Sequence, residues 1–361
     1  MRPAITVGVV GVGAWGEHLA RTFDESPRAE LRWLCDHSLE AQIRTKIRYP
    51  RARLTTRIDD LLNDEGLDAV VLATPGATHF ELARRVLEAE KHVLVERPLA
   101  FEGEQAEALV RLAERVNRRL MVGEVLVFHP AVRKLRELIE VGRLGELYYI
   151  HGTRHARPPR RDDESRLWSL GADDLSVVLY LLGDEPVEVA ARGESFLHRE
   201  LVDVVFCYLR FATGIAAHLH LSCVDVQVAR RLTVVGSKRM AVFDDAQLLR
   251  RLTVHQRAHR GRRTHLYEES ELASLGEIVT PRLANEEPLR LQCEHFLTGI
   301  HAAAESLSAR QGAALVNVLE ALERSLAEGG APMSVAARAK PEPLAPKAPV
   351  VPLTGNRTTQ R

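Results

Sequence analysis

The sequence lacks paired cysteines, an excess of charge of either sign and any long apolar run. Its four cysteines, Cys35, Cys207, Cys223 and Cys293, are far apart and form no CxxC pair. This spacing favours reduced, mostly buried thiols over a disulfide or zinc framework. Forty-nine basic and forty-nine acidic side chains cancel, so no net field would gather nucleic acid or an anionic membrane surface.

Apolar segments are also too short for a membrane protein. None approaches the ~20 residues that a spanning helix needs. The first residues run directly into a strand pattern, without the long apolar core of a signal peptide. We therefore expect a cytoplasmic protein that binds neither a membrane nor nucleic acid. With 361 residues, 45% of them hydrophobic and 27% charged, it is expected to be globular with two domains.

Strand and helix signals alternate through the first third of the chain. Short apolar strands are predicted at residues 5–10, 31–35, 69–73, 92–96 and 120–122, with helices between them. Strands without polar alternation are typical of a parallel sheet covered by helices on both faces. The chain is therefore predicted to be an α/β protein whose N-terminal domain, residues 1–123, is a doubly wound Rossmann domain.

The pattern changes after a predicted helix at residues 130–140. Further strands are predicted at 146–151, 187–191, 202–211, 214–222, 231–235 and 240–243, and helices at 288–303 and 313–328. Closely spaced strands around turn glycines indicate a largely antiparallel open sheet. We expect a C-terminal α/β domain at 124–330 that forms a homo-oligomer through this open sheet. Residues 331–361 are rich in proline and are predicted to be a disordered tail.

A glycine-rich turn follows the first strand and opens a helix. It contains Gly11, Gly13, Ala14, Trp15 and Gly16 in a GxGxxG pattern. The first glycine permits the tight turn, the second lets the backbone approach a pyrophosphate, and the third lets helix and strand pack closely. The phosphates would face the positive end of the helix. The alternative is a glycine turn without a ligand.

An acidic residue stands where a dinucleotide site needs one. Asp36 lies twenty residues after Gly16, at the end of the second strand. It can accept hydrogen bonds from both ribose hydroxyls, and its charge would repel a 2′-phosphate. The predicted cofactor is therefore NAD, although Arg44 and Arg51 leave NADP open. Alternatively, Asp36 caps the next helix.

Together the motifs resemble the Gfo/Idh/MocA oxidoreductase family over about residues 4–330. The motifs that carry the resemblance are the glycine turn, 73–79 (ATPGATH), 92–98 (HVLVERP), 167–175 (LWSLGADDL) and the final helical segment 314–330. The segments 122–124, 128–134 and 231–245 look like the branch that oxidises C3 of UDP-linked N-acetylhexosamine uronates. The resemblance implies that Thr74, Pro75 and His79 line the cofactor, with Glu96 and Arg97 near the nicotinamide. His79 could instead cap the following helix.

The sequence departs from the family at three positions that the resemblance places at the reacting centre. The family's lysine, aspartate and histidine are Arg97, Ser169 and Asp173 here. Oxidising an alcohol requires a base that titrates near the working pH, as histidine or a perturbed lysine does. Arginine stays protonated and cannot accept that proton.

Three interpretations follow. Asp173 acts as the base, with Arg97 holding an anionic group or polarising the hydroxyl. Alternatively, one of His129, His151 and His155 has taken over the proton transfer. Finally, the chain is a catalytically inactive NAD-binding regulator or scaffold. We favour an NAD-dependent oxidoreductase acting on a hydroxyl or keto group of a sugar or nucleotide sugar, with Arg97 and Asp173 as catalytic residues.

Other polar residues have both a functional and a structural interpretation. His129, His155 and Trp168 are predicted to bind the substrate, and the basic loop 155–161 could clamp a diphosphate or uronate or be a solvated loop. His129 could equally cap the helix that follows, and Asp173 could meet a helix dipole. His218 and His220 share one face of a strand and are interpreted as interface residues; no metal site is predicted. The basic run 255–265 is interpreted as a solvated loop.

Overall fold

The computed structural model describes residues 3–156, 165, 167–197, 202–247, 249–256, 277–300 and 307–335. The N-terminal half of this part alternates strands with helices. Its elements are β1 Ile5–Val10, α1 Ala14–Asp24, β2 Ala29–Cys35, α2 Leu39–Arg48, β3 Arg53–Thr55, α3 Ile58–Leu62, β4 Ala69–Leu72, α4 His79–Glu88, β5 His92–Glu96, α5 Gly103–Arg115 and β6 Leu120–Gly123.

These six strands form one parallel sheet in the order β3-β2-β1-β4-β5-β6. The predicted doubly wound Rossmann sheet is confirmed. Strand order reverses between β1 and β4, and a ligand crevice is expected outside the carboxyl ends at such a point. The short edge strand β3 was not predicted, because only three residues pair and two of them, Arg53 and Thr55, are polar.

The rest of the described chain builds a second sheet with helices against it. Its elements are α6 Pro130–Glu140, β7 Leu147–His155, α7 Ala172–Leu182, β8 Pro186–Glu194, β9 Val204–Phe211, β10 Ala216–Ser222, β11 Ala229–Gly236, β12 Arg239–Asp244, β13 Leu252–Gln256, β14 Ile278–Val279, α8 Pro288–Ile300, α9 Leu307–Ala327 and β15 Met333–Ser334. The order is β14-β13-β12-β11-β7-β10-β9-β8-β15, and only β7 with β10 pairs in parallel. The predicted, largely antiparallel second sheet is confirmed.

The described elements differ from the predicted ones at three further places. Strand β7 continues beyond residue 151 to His155, because Arg154 is buried by ion pairs that an apolar pattern does not signal. The predicted tail begins too early: Met333–Ser334 pair with β8, so the start of the 331–361 prediction is wrong, and 336–361 lie outside the described residues. Residues 255–256 of the predicted basic loop belong to β13, and 257–265 are not described.

Helix α9 joins the two sheets. The Glu320 Oε2 atom accepts a hydrogen bond from the Gly103 amide at 2.9 Å, and the Ser325 hydroxyl accepts one from the Ala191 amide at 2.9 Å. Leu319 and Leu322 of α9 are completely buried. All four cysteines are buried, as predicted. In the ranges that the structure covers, no helix has both the length and the apolarity to cross a bilayer.

Candidate functional site

The glycine turn between β1 and α1 has the shape of a phosphate-binding loop. Gly11 has φ +84°, and a Cβ there would lie 2.7 Å from the Ala73 carbonyl oxygen; one on Gly16 would lie 1.8 Å from the Gly11 carbonyl oxygen. A Cβ on Gly13, the N-cap of α1, would meet nothing within 4 Å. Packing therefore requires two of the glycines, whereas the third leaves open space at the first turn of α1. The free amides of that turn suit a pyrophosphate, so these residues fit a dinucleotide.

Asp36 adjoins the same turn. Its two carboxylate oxygens each accept one backbone hydrogen bond at 2.8 Å, from the amides of Val12 and Ser38. A carboxylate can accept about four hydrogen bonds, so two further hydroxyls can still be accommodated. Ser38 is itself the side-chain cap of α2. Arg44, which left NADP open, pairs with Glu17 and the Val12 carbonyl.

The loop after β4 approaches the turn from the other side. The hydroxyls of Thr74 and Thr78 are 2.7 Å apart, and Thr78 also donates to the Pro75 carbonyl. His79 is buried beneath this loop, with Nδ1 2.6 Å from the Pro98 carbonyl and Nε2 2.8 Å from the Thr74 carbonyl. The side chain therefore ties the loops after β4 and β5 together rather than capping α4. Thr74 and Pro75 remain positioned to line a cofactor.

Arg97 and Asp173 meet as the family resemblance implies. Arg97 follows β5, Asp173 lies in the first turn of α7, and Arg97 Nε is 2.8 Å from Asp173 Oδ1. Arg97 Nη1 also donates to the Trp168 carbonyl at 3.5 Å. Although burial by itself raises the pKa of Asp173, the charges of Arg97, Arg154 and Arg230 bring that pKa below its usual range. Asp173 is therefore a weak proton acceptor.

Arg154 fixes this ion pair from the second sheet. It is buried in β7 and forms two 2.8 Å hydrogen bonds with the carboxylate of Asp174, while its Nη1 lies 3.4 Å from Asp173 Oδ2. Burial opposes the charge of Arg154, but the two aspartates more than offset it and raise its pKa. The two-point geometry holds the start of α7 at a fixed position. Arg154 had no signal in the sequence, because the predicted strand ended before it.

Two glutamates occupy the ends of neighbouring parallel strands. Burial raises the pKa of Glu96, at the end of β5, to about 7, against the opposing effects of Arg97 and the Trp15 indole. Burial also raises the pKa of Glu124, directly after β6, to about 8; Arg97 opposes this rise, and Asp173 and Glu96 add to it. Both Glu124 carboxyl oxygens are inaccessible to solvent.

Glu124 is a site residue that the sequence interpretation missed. The nearby Ser176 hydroxyl donates to the Asp173 carbonyl and slightly opposes the rise of the Glu124 pKa. The signal was available, because Glu124 follows a parallel strand at the same edge as Glu96.

The three predicted substrate-binding residues have other surroundings. Trp168 is buried, with its ring edge-to-face against Phe101 at 5.1 Å between centroids; only its carbonyl reaches Arg97. His129 is buried and caps α6 by accepting the Ala131 amide at 3.1 Å, as its structural interpretation predicted.

The other histidines proposed for proton transfer lie elsewhere. His155 follows Arg154 in β7 and points to the opposite face of the sheet, where it contacts His220. His151 is on that same face, stacked on Tyr149. The structure therefore does not bring His151 or His155 to the Arg97–Asp173 pair, and residues 157–161 of the predicted clamp lie outside the described residues.

Comparisons with known proteins agree with this architecture. Residues 5–124 match the profile of an oxidoreductase family with an NAD-binding Rossmann fold, and residues 132–242 match that of the GFO/IDH/MocA C-terminal domain. The chain is 30% identical over 240 residues to a UDP-N-acetylglucosamine 3-dehydrogenase of Acidithiobacillus ferrooxidans, covering 66% of this chain and 73% of that protein.

Two further similarities extend the comparison. An inositol 2-dehydrogenase of Corynebacterium glutamicum is 26% identical over 63% of this chain and 69% of its own. A solved structure of the Acidithiobacillus ferrooxidans UDP-N-acetylglucosamine 3-dehydrogenase superposes with a TM-score of 0.77 at 26% identity, covering 90% of this chain and 98% of that one.

Proposed function

Because the chain belongs to the Gfo/Idh/MocA oxidoreductase family, we propose that it is an NAD-dependent oxidoreductase that oxidises a hydroxyl, or reduces the corresponding ketone, of a sugar or nucleotide sugar. One observation supports this proposal over an inactive regulator or scaffold. Beside the Arg97–Asp173 pair is a buried carboxyl, Glu124, whose pKa of about 8 suits proton transfer near neutral pH. In this proposal Glu124 takes over the proton transfer from the missing lysine and histidine.

Each charged residue has one role in this proposal. The glycine turn and Asp36 hold the cofactor, which supplies the hydride acceptor when bound. Both Glu124 carboxyl oxygens are inaccessible to solvent, so substrate binding would have to expose them. The ionised carboxyl would then accept the proton of the reacting hydroxyl while hydride leaves the same carbon, and in the reverse direction it would return that proton to the ketone oxygen. Arg97 orients the oxygen by hydrogen bonding, and Asp173 positions Arg97 rather than acting as the base.

The substrate class follows from the relatives and from Arg97. The UDP-N-acetylglucosamine 3-dehydrogenase of Acidithiobacillus ferrooxidans is among the most similar proteins. Arg97 lies directly after β5 beside Asp173, and a guanidinium can hold a phosphate or a carboxylate in two-point fashion. We therefore propose a UDP-linked N-acetylhexosamine or its uronate as the first substrate to test.

The test measures reduced nicotinamide by absorbance with the purified chain, NAD and a panel of sugars. The panel contains UDP-N-acetylglucosamine, its uronate, unlinked N-acetylglucosamine and inositol. The proposal is supported if the wild type turns over a member of this panel, Glu124→Gln does not, and Glu65→Gln does. Glu65 is an exposed turn residue before β4 and serves as the control. NADH binding without turnover across the panel would contradict it and favour the regulator.

The open face of the second sheet supports a homo-oligomer. Three aromatic side chains, Tyr149, Phe206 and Tyr208, each have between 43% and 52% of their surface exposed on this face. Together they expose more apolar surface than singly scattered residues do. We propose that a second copy covers this face in a cytoplasmic protein, which the four buried cysteines also favour. Light scattering of the wild type and of Phe206→Lys would test it; equal masses for the two would contradict it.

A further inference from the structure

Two histidines and an aspartate meet on the open face of the second sheet. His155 ends β7, His220 lies in β10, and Asp225 follows the end of β10. The two strands pair in parallel, with His155 opposite Ser222 and His220 opposite Thr153. Because the pairing places His155 and His220 on one face, residues 65 positions apart become neighbours.

The spacing of their donor atoms matches a metal site. His155 Nε2 is 3.3 Å from His220 Nδ1. The 3.6 Å contact of His155 with Asp225 Oδ1 uses the other ring nitrogen, Nδ1, which cannot bind the same ion as Nε2. One ligand atom can be chosen from each residue so that all three lie within 4.8 Å of one another. Two nitrogens bound to a tetrahedral Zn²⁺ at about 2.0–2.1 Å are about 3.4 Å apart. The His155–His220 separation is therefore close to that of two zinc ligands.

Ring stacking holds one of the two imidazoles. The Phe206 ring stacks on His220 at 4.6 Å between centroids with an 11° interplanar angle, which fixes the ring orientation.

We propose that His155, His220 and Asp225 bind one divalent transition-metal ion of the Zn²⁺ class, with water completing a tetrahedral site. Two imidazoles and one carboxylate are typical ligands of this class. The ion would join the end of β7 to the segment after β10. Arg154, one residue earlier in β7, holds Asp174 on the other face, so the ion would stabilise the strand that carries this anchor. This inference does not depend on the proposed oxidoreductase activity, but it places the ion on the sheet face that a second copy is proposed to cover.

The same sheet face offers a matched control. His151 and His218 lie on the same two strands, with ring centroids 5.6 Å apart, and they are not part of a three-ligand group among the residues that the structure covers. A site made only of adjacent histidines would be present in both pairs. The site proposed here needs Asp225 and is restricted to the first pair.

The experiment titrates Zn²⁺ into tag-free, chelator-treated full chain by calorimetry and uses Co²⁺ absorption to report tetrahedral coordination. We expect one ion per chain, an affinity reduced by roughly 100-fold or more in His220→Ala, and unchanged binding in His218→Ala. Asp225→Asn changes a part-exposed side chain and tests the site if His220→Ala fails to fold. No stoichiometric binding, an unchanged Asp225→Asn, or an equal loss in His218→Ala would overturn the proposal.

Discussion

Replacing Glu124 by glutamine tests the base through protein stability alone. The folded protein raises the pKa of this carboxyl from 4.5 to about 8, so between these values the native state holds a proton that the unfolded state has lost. By linkage, the contribution of Glu124 to stability falls as pH rises through this range and is constant above it. Glutamine has a similar shape and cannot ionise. The free energy of unfolding of Glu124→Gln, relative to the wild type, therefore increases with pH.

The magnitude follows from the pKa gap. At about 1.4 kcal/mol for each pKa unit, ionising Glu124 in the folded state costs on the order of 5 kcal/mol at alkaline pH. At about pH 5 the native carboxyl is still protonated, whereas most of the unfolded carboxyl is ionised. The destabilisation by Glu124 is then only about 1 kcal/mol. Relative to the wild type, Glu124→Gln should therefore gain about 4 kcal/mol in free energy of unfolding between about pH 5 and pH 9.

Urea unfolding followed by circular dichroism at the two pH values measures this difference. Glu65→Gln, in the exposed turn before β4, serves as the control and should follow the wild type at both. If Glu124→Gln also followed the wild type, Glu124 would be ionised in the native state near neutral pH. The reason for assigning it the role of base would then be lost.

Three further predictions concern the scaffold and the cofactor. Asp174→Asn should cost about 3–5 kcal/mol in urea unfolding, because it leaves the buried Arg154 without its two-point partner; a loss below about 1 kcal/mol would contradict this. Gly13→Ala should keep the wild-type Tm but weaken NAD binding measured by calorimetry. Gly16→Ala should lower the Tm, because its Cβ meets the backbone. The reverse pattern would refute phosphate binding at the glycine turn. Asp36→Asn should reduce the preference for NAD over NADP in the same titration, and an unchanged ratio would exclude Asp36 as the ribose ligand.

The predictable part of the fold is the part that apolar patterns encode. Strand β4 is a continuous apolar run, β1 is apolar apart from Thr6, and every residue of both strands is buried, so the apolar pattern predicts the parallel sheet correctly there. Helix α6 begins at Pro130 and ends at Glu140 as predicted, because proline and the preceding histidine signal its start. The edge strands β3 and β15 carry too few residues to produce a pattern.

The candidate site was less predictable, because its charged side chains form ion pairs between residues from different helices and strands. Arg154 is buried through its ion pairs with Asp173 and Asp174, and no local feature of the sequence pairs a strand residue with helix residues about twenty positions away. The same holds for His155 and His220, which sequence reasoning assigned to substrate and interface. Asp173 was found by resemblance, but its low pKa depends on three arginines from separate elements.

The most direct test of the account is the pH dependence of alcohol oxidation in single-turnover kinetics with saturating NAD. We predict that the rate rises with pH with an apparent pKa near 8, that of Glu124, and that Glu124→Gln lowers the rate by about 100-fold or more and removes this dependence. A Glu124→Gln enzyme with the wild-type rate and pH profile would contradict the account.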